Sequence, residues 1–344
     1  INYIRDRISD VRENFDWNKF YIINYHEFFS QIANELGINI EIPSNILNKI
    51  ASFSTEKRNR YIENYYEDYY YSNIDIFKDF ENTLKNYRFK TILIDEVQDY
   101  RAEWIKIIRK YFATDNSELV LFGDDKQTIY KDKINNENKI KVIQGFGAWK
   151  KLSKPIRYIE KGSRITKLAE KFQQANFNGI YELDTFETKN QQLELDFGIF
   201  KSFNYGMNLN YDDIVKEIFN EIKINDLHPN DVVILASRIN IVREVDYLIR
   251  TKYKENTLTT FETKEQFDNI LESDIKGLRR IKKVHFNLNP GFIKLSTIHS
   301  FKGFESSTVF LIIHPEDNEE LVYTAFTRSK FNLMVFINEE NRFY

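Results

Sequence analysis

Short apolar runs alternate with amphipathic stretches along this chain, and their lengths set the expected elements. Phe20–Asn24 is a brief apolar run with a β-forming bias and reads as a strand. Tyr25–Leu36 carries apolar side chains at helical spacing and stops at Gly37, the pattern of an amphipathic helix. Residues 1–19 and 38–88 are polar and read as helical. The tyrosine-dense stretch Tyr61–Tyr71 suits a low-complexity segment and an exposed helix equally.

Thr91–Ile94 is continuously apolar, as in a parallel strand covered on both faces. A helix carrying Trp104, Ile105, Ile107 and Ile108 follows, then a second buried strand at Leu119–Phe122. The second half repeats this grammar. Val232–Leu235, Ile293–Thr297, Val309–Ile313 and Leu333–Ile337 read as strands, the last closing the sheet. Val242–Arg250 and Leu321–Ser329 read as helices. The fold class is therefore α/β, with two parallel-sheet domains. Residues 131–150 are polar and then Gly-containing, a crossing between domains. This divides the chain into 1–150, with a small helical insertion at about 38–88, and 151–344.

Composition narrows the class. The chain has 344 residues, suited to two domains of middling size. It has no cysteine, which excludes disulfides and cysteine-ligated zinc or iron–sulfur sites. Its 49 Lys plus Arg against 52 Asp plus Glu give a net charge of −3. A uniformly basic coat for nucleic acid is absent, while a local basic groove stays open. No apolar run approaches the ~20 residues of a membrane span, and no signal-peptide pattern opens the chain. A cytoplasmic protein without membrane contact is the expectation. The 21 Tyr and 29 Phe fit an AT-rich coding sequence and are not taken as a nucleic-acid signature.

Four polar segments carry candidate chemistry. Asp95-Glu96-Val97-Gln98-Asp99 follows directly on a buried strand. Acids at the carboxyl end of a central parallel strand lie where ligands bind in open α/β sheets. One can hold Mg²⁺ while its neighbour orients or deprotonates a water. The same acids also suit a plain helix N-terminus. Gly123-Asp124-Asp125-Lys126-Gln127-Thr128-Ile129-Tyr130 follows the next strand. The Gln127 amide can sense a γ-phosphate or its attacking water, and a Gly-Asp turn is the plainer reading. Ser296–Glu305 follows a third strand and contains Thr297, His299, Lys302 and Gly303. Leu321–Lys330 is a helix with Arg328 near its end, a C-terminal cation or an arginine finger.

Taken together, in this order and at this spacing, the four segments resemble the UvrD/Rep-like helicases of superfamily 1. The Asp95 segment looks like that family's Walker B motif and the Gly123 segment like its third. Ser296–Glu305 and Leu321–Lys330 look like its fifth and sixth. Leu152-Ser153-Lys154-Pro155-Ile156-Arg157-Tyr158 is similar to its fourth, and Asp231–Arg250 to the strand and helix that follow it. Tyr25-His26-Glu27-Phe28-Phe29 resembles the segment after the family's first DNA-contacting motif. The resemblance covers about residues 20 to 340.

The resemblance implies two RecA-like domains with ATP and Mg²⁺ between them. It makes Asp95 the Mg²⁺ carboxylate, Glu96 the activator of water and Gln127 the couple between γ-phosphate and DNA. It sends Arg157 and Arg328 to the γ-phosphate, and puts Gly303 and Glu305 at the nucleotide, Glu305 near the ribose. It assigns single-stranded DNA to His26, Phe28, Tyr130, Thr297, His299 and Lys302, with 3′ to 5′ movement.

The chain also departs from the family. No Gly-x-x-x-x-Gly-Lys-Ser/Thr occurs, so the phosphate-cradling loop is missing from this sequence. In the family that loop precedes the position of Tyr25. The expectation is therefore a first domain incomplete at its N-terminus, with the loop before Ile1. Lys131-Asp132-Lys133 stands where the family has Trp-Arg-Gly. Only about 40 residues separate Arg250 from the Ser296 segment, too few for the accessory domain of larger relatives. The expected function is the motor core of an ATP-dependent DNA helicase or translocase, with a nuclease or other effector domain or subunit as a conceivable partner. The alternative is a non-hydrolysing, helicase-shaped DNA-binding or scaffold subunit of a repair or antiviral complex.

Overall fold

The computed structural model describes residues 8, 16–17, 20–127, 145–148, 150, 164–184, 198–271 and 274–343. The chain forms two compact units. Unit 1 comprises residues 1–124 and 130–148, and unit 2 comprises 125–129 and 149–344. The helical reading of residues 1–19 falls almost wholly outside the described residues, as do most of 131–150 and the Leu152–Tyr158 segment.

In unit 1, β1 (Phe89–Ile94) and β2 (Ala113–Leu121) form a parallel pair. Helix α1 (Tyr25–Glu35) begins at Asn24, whose side chain accepts from the Glu27 amide, and ends where Gly37 turns left-handed. Phe20–Asn24 is not a strand. The run is short, no strand pairs with it among the described residues, and Asn24 is spent on the helix cap. Helices α2 (Ser44–Ile50) and α3 (Thr55–Tyr66) follow, and α3 runs into a π-turn at Glu67–Tyr71. The tyrosine-dense stretch is thus helical. Its far end is tied to the core, because Tyr25 donates to the Tyr71 carbonyl at 2.8 Å.

Helix α4 (Ala102–Ile107) and the turn after it bury Trp104, Ile105, Ile107 and Ile108, as the periodicity predicts. Ile94 is buried with them, but Leu93, pointing the other way, is 64% exposed. Strand β1 is therefore, among the described residues, covered on one face, not two. Among the described residues the helical layer of unit 1 packs on one side of the pair.

Unit 2 is built on six parallel strands. They are β3 (Phe200–Asn204), β4 (Val232–Ala236), β5 (Thr257–Thr259), β6 (Ile293–Thr297), β7 (Ser306–Ile312) and β8 (Ser329–Ile337). Their order across the sheet is β3-β8-β7-β4-β6-β5. Alternate residues feed opposite faces. Val233, Leu235, Val309 and Leu311 join the core under α5 (Arg164–Asn176) and α11 (Glu319–Phe326). Val232, Ile234, Phe310 and Ile312 join the core under α6 (Tyr211–Ile224) and α7 (Ile239–Lys252). Both faces are dry, which is why these strands read as unbroken apolar runs.

Two readings are corrected here. β8 does not close the sheet, because β3 pairs with it on the outer side. β3 alternates exposed and half-buried positions, as an edge strand does, and its apolar signal is too thin to stand out. The helix read as Leu321–Ser329 ends at Phe326, with Thr327 as its cap, so Arg328 lies beyond the helix and Ser329 opens β8.

The stretch between β5 and β6 holds α8 (Lys264–Asn269) and α9 (Ile275–His285). Fully buried Glu262 ties this stretch to α7. It accepts from Arg279 of α9 at 2.6 and 2.7 Å and pairs with Arg243 of α7. Burial pushes the Glu262 carboxyl up, but the Arg279 hydrogen bonds and the two guanidinium charges outweigh it and hold the group below its ordinary 4.5.

Glu262→Ala is expected to destabilise the protein by about 3 kcal/mol in urea unfolding at neutral pH, because two guanidinium groups lose their shared carboxylate. A lowered folded-state value stabilises above 4.5 and is lost as pH falls through it. The gap between wild type and Glu262→Ala should therefore narrow on acidification. A gap that stays constant with pH would contradict this.

Candidate functional site

In unit 1 the chemistry sits at the carboxyl ends of β1 and β2. Asp95 is exposed directly after β1, and its Oδ1 accepts from the Glu96 amide at 2.9 Å. Glu96 adopts φ 52°, the left-handed region that disfavours a side chain. Its carboxylate accepts from the Gln98 amide. Val97–Asp99 then forms a short 3₁₀ turn. Acids at a regular helix N-terminus would need no left-handed residue, so the plain capping reading does not account for this turn. Burial and then the Asp95 charge push the nearby Tyr100 phenol up to about 12.

The two strand ends are stitched together. Phe122 donates to the Ile94 carbonyl at 2.8 Å, and Val97 to the Phe122 carbonyl at 2.9 Å. Buried Gln98 accepts from the Asp124 amide at 3.1 Å. Gly123 passes so close that a Cβ would stand 2.8 Å from both Gln98 Oε1 and Val97 Cγ1. Gln98 and Gly123 were not singled out as site residues. Only the approach of the two loops shows what they do.

Gln127 ends a 3₁₀ turn over Asp125–Gln127, and that turn belongs to unit 2. Three residues far apart in sequence meet there. The buried Arg328 guanidinium, 3% exposed, donates through Nη2 to Gln127 Oε1 and through Nε to the Thr324 carbonyl at 3.2 Å. Lys302 Nζ donates to the Gln127 carbonyl at 3.0 Å. Buried Lys126 anchors the turn, pairing with Asp184 at 2.9 Å and donating to the Glu182 carbonyl. Asp184 is itself held at its amide by Gln173, which donates to Tyr323 of α11. Lys126 was missed as a positioning residue, because a lysine in a polar turn gives no sequence signal of burial.

The other candidates are placed as follows. Thr297 caps the short helix α10 (Ile298–Phe301), accepting from the Ser300 amide at 3.3 Å, and His299 is half-buried on that helix. Gly303 is left-handed at φ 89° with open space around it. Glu305 pairs with Lys330. In unit 1, His26 lies 3.5 Å from Glu67 and edge-on to Trp104. Phe28 packs among Tyr21, Phe89 and Phe112, and its ring is used inside unit 1. Tyr130 and Arg157 lie outside the described residues. Among the described residues no group of three or more histidines and carboxylates is arranged to hold a metal, and no helix is long and apolar enough to cross a membrane. An exposed carboxylate such as Asp95 is nonetheless a fitting oxygen ligand for a hard cation that keeps most of its water.

Residues 10–141 match the family described as the UvrD/REP helicase N-terminal domain. Over that span the chain is UvrD/REP-like. The match includes the Asp95 turn and the Gly123–Tyr130 segment, and over that span it bears out the resemblance read from those two motifs. A solved structure similar to part of this chain is the C-terminal domain of a possible DNA helicase from Lactobacillus plantarum WCFS1. It has 15% identity and a TM-score of 0.28, over 42% of this chain and 74% of that one. No curated protein matches the chain.

Gly123→Ala is expected to cost roughly 1–3 kcal/mol in unfolding experiments, because the added methyl drives against stiff, buried Val97 and against Gln98. Gly206→Ala, with nothing near its Cβ, is the comparison for a glycine whose cost is backbone alone. Equal costs at the two positions would refute the close-approach account.

Proposed function

We propose that this chain is most of the motor core of an ATP-dependent DNA helicase or translocase acting on single-stranded DNA in the 3′ to 5′ direction. The observation that carries the reading is the meeting of Gln127, Lys302 and Arg328 in unit 2. These come from three separate motifs, and a fold kept only for shape has no need to bury an arginine against Gln127. In this reading Asp95 assists Mg²⁺, and Glu96 takes the proton of the attacking water. Gln127 senses the γ-phosphate, and Arg328 together with Arg157 stabilises its charge during transfer. Gly303 and Glu305 belong to the nucleotide site. Thr297, His299, Lys302, His26 and Tyr130 contact the DNA backbone and bases, with Phe28 contributing through packing. The left-handed Glu96 supports its role, since backbone strain of that kind concentrates at functional turns.

The second reading is a helicase-shaped DNA-binding or scaffold subunit that does not hydrolyse ATP.

In the longest natural chain that carries this sequence, DNA-stimulated ATP hydrolysis is expected to fall at least ~100-fold with Glu96→Gln. Arg328→Ala is expected to reduce it roughly 1000-fold. Binding of single-stranded DNA should weaken steeply with salt in wild type and in Glu96→Gln alike. Normal hydrolysis by Glu96→Gln would refute the role of Glu96. Salt-sensitive DNA binding with no hydrolysis by the wild-type chain would establish the second reading.

A further inference from the structure

The stretch that links β5 to β6 ends in an unusual helix. Between Ile275 and Asn289 the chain carries five Lys or Arg and His285, and no carboxylate, in a protein whose net charge is −3. Two of the cations face inward, Arg279 on Glu262 and Lys282 on Thr259 Oγ1 at 2.8 Å. Phe286, just past the helix end, is buried against Phe301 and Phe304. These contacts fix which side of α9 faces the protein. None of the residues of α9 is itself buried.

The opposite side of α9 is apolar. Ile281 is 59% exposed, Val284 52%, and Leu288 in the following turn 57%. Gly277 lies one turn before Ile281, and no atom stands within 4 Å of where its Cβ would be. The positions 277, 281, 284 and 288 follow spacings of four, three and four. That is the seam by which one α-helix packs against another, with the glycine allowing close approach. Lys276, Arg280 and Lys283, all exposed, run along one flank of the seam. Together they form a narrow apolar stripe bordered by positive charge.

We propose that α9 is a docking surface for an acidic amphipathic α-helix of a partner protein. The seam supplies the apolar burial, and the basic flank selects a helix carrying Glu or Asp beside its own apolar stripe. A phosphate backbone would engage the cations and leave Ile281 and Val284 in water. A membrane surface would call for a wide face of large side chains, and this stripe is one residue across.

The test uses the whole chain and a synthetic peptide of three heptads, with Leu and Ile at the seam positions and Glu on the flanks. Binding is read by fluorescence anisotropy, and peptide helicity by circular dichroism. The expected result is binding with a gain of helix. It should weaken roughly thirtyfold or more with Ile281→Glu plus Val284→Glu, and about tenfold with Lys276→Glu plus Arg280→Glu, the latter loss shrinking at high salt. Both pairs lie on the exposed side, and unchanged thermal unfolding of the charge-reversal pair guards against a folding defect. The proposal is overturned if the peptide does not bind, or if a scrambled peptide of the same composition binds as well. It is equally overturned if the seam variant binds undiminished, or if duplex DNA or phosphatidylserine vesicles engage α9 through these residues while the peptide does not.

Discussion

The constraint on which unit 2 depends is that a parallel sheet with helices on both faces has no wet face. Every side chain along β4, and those of Val309–Ile312 along β7, go into one core or the other. Polar chemistry is thereby driven to the strand ends. Thr297 ends β6 and His299 follows it, at the carboxyl end where ligands bind in open α/β sheets, whereas Arg328 immediately precedes β8. The same dry interior makes buried charges costly, and several are met by partners. Glu262 is shared by two arginines, Asp246 accepts from Arg250 and Thr257, and Lys126 is held by Asp184.

The Gly123–Gln127 segment shows how such a site gains precision. In unit 1, Gly123 and Asp124 are held to the Asp95 turn by the close passage of Gly123 and by the bond from the Asp124 amide to Gln98. Within unit 2, Lys126 is held by Asp184 and the Glu182 carbonyl, and Gln127 by Lys302 and Arg328. Most of these contacts end on backbone atoms, which fixes the path of the chain and leaves the Gln127 amide aimed by Arg328. Charge-assisted bonds of this kind, sheltered from water, are the stronger class.

The stretch between β5 and β6 is organised differently. Between these strands the chain has two short helices tied down by ion pairs instead of an apolar core of their own. Arg250 bridges Asp246 and Glu265, and Arg279 reaches Glu262. A helix held by its polar side is at liberty to turn an apolar stripe outward, and α9 does so.

Much was legible in the sequence because it rests on local periodicity. The apolar runs of β4 and β7 and the Gly37 stop of α1 follow from nearest-neighbour physics, and the structure agrees with them. Phe20–Asn24 misled because a strand exists only with a partner, and partnership is not local. β3 and the interior place of β8 escaped for the same reason, since a half-exposed edge strand carries little apolar signal. Arg328 could be named from its motif, but its seat against Gln127 could not, because 201 positions separate them and the contact arises only when the sheet is assembled. Residue type and spacing determined which chemistry this chain can carry. Tertiary structure alone decided which groups meet, which charges are buried, and which face of α9 is left to the solvent.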